Sequence, residues 1–84
     1  MQAFSIYDSK AASHIFPFAD HTVETAIRTF RELVNGRNEQ MTNYPEDFTL
    51  MHVGAWDEGL GVWEPMDKKA ILTGIDVKVS DDGR

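Results

Sequence analysis

The chain has 84 residues, enough for one small domain, with no cysteine and a formal net charge of −6. The missing thiols exclude disulfides and thiolate zinc sites. The acidic balance argues against indiscriminate binding to nucleic acid or anionic lipid, no apolar run is long enough for a membrane span, and the N-terminus lacks a basic-then-apolar leader, so a soluble intracellular protein is expected. The chain opens with an alternating run, Ala3–Asp8, that predicts a strand with Phe4 and Ile6 on one face and Ser5 and Tyr7 on the other. Asp8-Ser9-Lys10 is a turn, and Ala11–Asp20 is expected to be a loop anchored on the core by Phe16 and Phe18.

A helix is predicted from Thr22 to Asn35. Val23, Ala26, Ile27, Phe30, Leu33 and Val34 recur on one helical face. Thr22 or Asp20 can cap it, Asn35-Gly36 can stop it, and Arg28 and Arg31 fall outside the apolar stripe. Glu24 and Arg28 stand at the spacing of a helical ion pair. Arg37–Asp47 is polar, contains Tyr44-Pro45, and is expected to be a loop.

Phe48–Trp56 predicts a strand with both faces partly apolar, and Gly54 marks a bulge. Asp57-Glu58-Gly59 makes a turn with Gly59 left-handed. Leu60–Glu64 returns as a partner strand that ends at Pro65 and sets Trp56 near Trp63. Ala70–Val79 is a final β-prone run, an edge strand or an arm docking on a second subunit. Ser80–Arg84 is expected to be a flexible tail beyond a single domain of residues 1–79. The expected fold class is α+β: β-α-β-β plus a C-terminal strand or arm, one helix on a three- to four-stranded mixed sheet. Its first two strands would be parallel through a crossover. One helix covers one face of such a sheet. The other face predicts a homo-oligomer, taken as a dimer, whose candidate interface residues are Tyr7, Met51, Val53, Ile71, Ile75 and Val77.

No catalytic residue, metal site or cofactor is expected. His14, Asp20 and His21 lack ligand spacing, and His52 in mid-strand suits a half-buried histidine bonded to a neighbour. Asp57, Glu58 and Glu64 suit solvated turn acids, and Gly59-Leu60-Gly61 is too short to cradle phosphate. Residues 1–42 hold four Lys/Arg against five Asp/Glu, and residues 43–84 hold four against nine. A cationic surface therefore belongs to the helix and the loop before it. The candidate nucleic-acid contacts are Lys10, Arg28, Arg31, Arg37 and Tyr44, with Tyr7, Trp56 and Trp63 as further stacking groups.

Ser5-Ile6-Tyr7-Asp8 with Lys10, then Pro17-Phe18, Ala26–Phe30, Val34-Asn35, Pro45–Leu50, Val53-Gly54 and Trp56-Asp57 come in an order and spacing that resembles the small nonstructural proteins of gokushovirus-type microviruses. The similarity spans roughly residues 4–60, with Trp56 where those proteins usually carry Phe. These phages have circular single-stranded DNA. The resemblance implies a protein of the host cytoplasm engaged in the switch from duplex replication to single-strand synthesis and packaging, and it supplies no catalytic residues. The reading that follows is a non-catalytic single-stranded-DNA-binding protein. The alternative is an acidic oligomeric module that contacts phage or host replication or capsid proteins.

Overall fold

The computed structural model describes residues 1–79, so the expected tail at Ser80–Arg84 lies outside the described residues. Four strands form one antiparallel sheet in the order β2-β1-β3-β4: β1 (Gln2–Asp8), β2 (Ser13–Asp20), β3 (Phe48–Asp57) and β4 (Val62–Thr73). Helices α1 (Val23–Glu32), α2 (Glu39–Asn43) and α3 (Gly74–Val77) lie between or after them. The α+β class stands. The mixed sheet does not.

The correction starts at residues 13–20, which pair with β1 instead of forming a loop. This strand occupies a sheet edge with half of its residues exposed and none fully buried, so its sequence never had to show a two-sided apolar pattern. Its insertion reverses the chain once more before α1. β1 and β3 are consequently antiparallel. The strands that run in one direction across the helix are β2 and β3, with β1 between them.

The apolar stripe of α1 packs as its spacing predicts. Ala26, Phe30, Leu33 and Val34 are buried with Phe4 and Ile6 of β1 and Phe48 and Leu50 of β3, while Val23 and Ile27 pack against this cluster. Thr22 is the cap: its hydroxyl accepts from the Thr25 N–H at 3.1 Å. Asp20 instead accepts from the adjacent His21 N–H. The helix widens into a π turn over Leu33–Arg37, where Gly36 takes the left-handed conformation at φ 131°.

Two more segments depart from expectation. Arg37–Asp47 contains α2, capped by the Asn38 side chain on the Met41 N–H, and a 3-10 turn at Pro45–Asp47. β4 does not end at Pro65 but runs on to Thr73, because an edge strand can leave an N–H unpaired. The last run then leaves the sheet as α3, whose capping box joins Thr73 and Asp76. Val77, expected at an oligomer interface, is buried in the chain's own core, and Ile71 packs against that core.

The β3–β4 hairpin has the expected pairing of Trp56 with Trp63, ring centroids 4.7 Å apart. Its left-handed residue is Gly61 (φ 69°), not Gly59. The bulge expected at Gly54 is present against both neighbouring strands. Both edge strands are irregular. In β2, Phe16 and Pro17 together face Ser5, and Phe16 sits at φ 53°. In β4, Met66, Asp67 and Lys68 stand between the pairs His52–Lys69 and Gly54–Pro65. A proline, a bulge and, on β4, charged side chains are the devices that keep sheet edges from adding strands.

Candidate nucleic-acid interface

The five expected contacts do not converge on one groove. Arg28 and Arg31 lie three residues apart on the exposed side of α1, whose opposite side is fixed by burial of Ala26 and Phe30. Among the described residues, neither has a carboxylate within 4 Å, and the expected Glu24–Arg28 pair does not form. Arg37 does find one: its guanidinium lies 3.1 Å from Glu32, with both side chains well exposed. Arg31 and Arg37 line one shallow concavity with Glu32, Asn35 and Val79.

Lys10 and Tyr44 meet elsewhere, beside Gln40, Glu46 and Asp47. The Ser9 N–H donates to the Asp47 carbonyl at 2.9 Å, which ties the β1–β2 turn to the 3-10 turn. Asp8 shapes that turn by accepting from the backbone N–H groups of Lys10 and Ala11. Lys10 therefore shares its concavity with two acids and Arg31 shares its own with Glu32, and among the described residues neither cation forms an ion pair.

Two of the three histidines, His14 and His52, are engaged in structure. His52 is half-buried, lies 2.8 Å from the Gln2 side chain and stacks on Phe4 at 5.0 Å. His14 bonds the buried Ser5 hydroxyl at 2.9 Å and leans on Tyr7. Among the described residues, no three His, Asp or Glu converge to hold a metal ion. No helix among them is long and apolar enough to cross a membrane.

A second surface was not legible from the sequence. The register aligns Ala19 with Ala3, Ala3 with Gly54, and Gly54 with Pro65, so a row of small residues crosses all four strands. Above this row lies an apolar groove of about 700 Å³, walled by Phe18, Val53 and Trp63, in which Glu64 is the one charged lining residue. Gly54 permits the close approach there, since a side chain would collide with the Glu64 carbonyl. The signal was hidden because the four residues lie far apart in sequence and meet only through pairing.

A family model described as Phage ORF5 protein matches residues 1–77. Protein ORF5 of Chlamydia phage 1 is 37% identical over 68 residues, covering 76% of this chain and 71% of that protein. No solved structure matches the chain.

Proposed function

Because the chain belongs to the Phage ORF5 protein family, we propose that it is a non-catalytic nonstructural protein that binds single-stranded DNA during replication or packaging of a phage genome in the host cytoplasm. The observation that carries this reading is the pair Arg28 and Arg31, exposed on one helix and free of any carboxylate within 4 Å among the described residues. Arg37 borders the same surface through Arg31. Exposed cations of this kind neutralise phosphates, release counterions and make affinity fall with salt. Lys10 and Tyr44 add a cation beside an exposed aromatic ring suited to stacking a base.

Fluorescence anisotropy with a labelled single strand tests this. Binding should weaken with salt by about 0.7 log units per tenfold salt for each phosphate neutralised. Arg28→Glu with Arg31→Glu should abolish it at low salt while the fold persists. Binding unchanged in that double variant would end the proposal.

The alternative, an acidic module that contacts basic phage or host proteins, draws on the β3–β4 hairpin, which exposes Glu58, Glu64 and Asp67 beside apolar residues. Salt-sensitive capture of a replication or capsid protein by a chain that leaves DNA unbound would favour it.

A further inference from the structure

We propose that the apolar groove over Ala19, Ala3, Gly54 and Pro65 is the contact surface between two copies of this chain, each seating its β3–β4 hairpin arm against the other's groove. This assignment is independent of the DNA reading, which concerns α1.

Three observations select a second copy. The first is charge. A nucleic-acid strand in this groove would need cations, yet no Lys or Arg lines it and Glu64 does. An occupant must instead be apolar. The second is that the chain carries a matching apolar projection next to the groove: Leu60 is 75% exposed and Trp63 56%, with Val62 and Met66 also exposed. Across the groove, Phe16 at the β2 bulge is exposed too. A two-fold contact needs one surface that is both projection and recess, and this end of the sheet has both. Leu60, Trp63, Met66 and Phe16 together with the groove lining leave on the order of 500 Å² to solvent per copy, so pressing two copies together removes up to roughly 1,000 Å², the threshold for a specific interface.

The third observation concerns the route of association. Strand addition at either edge is opposed by Pro17 and the Phe16 bulge on β2, and by Pro65, the Met66–Lys68 bulge and Lys69 on β4. What remains for association is a face. The helix-covered face is already filled by Phe30, Val34, Met41 and Val77. The interface expected at Ile75 and Val77 thus moves to the opposite end of β4.

The experiment is sedimentation velocity on the full chain across the micromolar range, with tryptophan emission read on the same samples. A mass of two chains is expected, and dilution should dissociate it while shifting emission to the red with the same midpoint, as Trp63 returns to water. Ala19→Glu fills the groove and Leu60→Glu charges the arm tip; each should weaken association at least tenfold. Ile75→Glu, on exposed α3, should leave it unchanged. If a variant loses its far-ultraviolet circular dichroism, the wild-type dilution series decides. A monomer throughout the range overturns the proposal, as does a dimer indifferent to both groove and arm variants, or emission that ignores dilution. If single-stranded DNA blue-shifts the emission and Ala19→Glu abolishes DNA binding, the groove is a base-binding site and the proposal also fails. Arg28→Glu with Arg31→Glu should lose DNA yet keep the mass of two chains, which separates the two readings.

Discussion

Replacing Asn35 by alanine should cost about 2 kcal/mol, and the structure supplies the reckoning. The Asn35 amide donates to the Arg31 carbonyl at 2.8 Å and to the Val77 carbonyl at 2.9 Å, and its oxygen accepts from the Val79 N–H at 2.7 Å. Only one orientation of the amide satisfies two carbonyls and one N–H. Each such bond contributes a net of about 0.5–1.5 kcal/mol, and the partly buried Val77 carbonyl, which water replaces least well, contributes most. The three together clamp the C-terminal segment onto the end of α1. A loss of about 2 kcal/mol should lower the melting temperature by roughly 8–16 °C for a domain of this size. Urea unfolding followed by circular dichroism, at fixed protein concentration, measures it. Hydrogen exchange at the Val79 amide should accelerate more than exchange at Phe30 or Leu50. In Asn35→Asp the carboxylate keeps the Val79 bond but faces two carbonyl oxygens, so its deficit relative to wild type should shrink as pH falls and the acid gains a proton to donate. A change in Asn35→Ala below about 0.5 kcal/mol, with Val79 exchange unaltered, would refute the clamp.

Gly74→Ala should destabilise by about 1–3 kcal/mol, because the added methyl group collides with the Pro45 carbonyl where α3 packs on the 3-10 turn; thermal melts check it, and DNA affinity should not change. Glu32→Gln should leave stability within about 0.5 kcal/mol, since its pair with Arg37 is exposed on both sides. The same variant should tighten single-strand binding and steepen its salt dependence by up to about 0.7 in the logarithmic slope, because Arg37 is released to a phosphate.

The parts of the fold legible in the sequence are those whose pattern burial enforces. Every apolar residue of the α1 stripe reaches the core or packs on it, because a helix on one sheet face must bury one side. The Trp56–Trp63 pair and the Gly54 bulge followed from turn chemistry and local register. What stayed hidden lies at edges and ends. Half of β2 and most of β4 are exposed, so neither shows a clear alternating pattern, and both contain a proline that argues against a central strand but not against an edge. α2 and α3 are too short for a period, although each carries a cap signal, Asn38 for one and Thr73 with Asp76 for the other. Missing β2 then reversed the inferred direction of β3. The outward placement of Arg28 and Arg31 was legible from the stripe they interrupt. Their separation from Lys10 and Tyr44 depends on the packing of the β1–β2 turn against the 3-10 turn, which no local pattern encodes.

The position of β1 has a consequence for how the chain is made. The first of the four strands in the chain is one of the two interior ones, hydrogen-bonded to β2 on one side and to β3 on the other. β2 follows at once, but β3 begins at Phe48, after α1, α2 and the 3-10 turn. Throughout that interval the inner edge of β1 is unpaired, and Phe4 and Ile6 lack their partners His52 and Leu50. At about 5–20 residues per second the interval lasts several seconds. The nascent β1–β2 hairpin therefore spends it with its central edge, the one not guarded by Pro17, open to other chains. Crowded, rapid expression is the condition under which this protein should be lost to aggregates, even though the finished sheet has neither edge in a form that recruits strands.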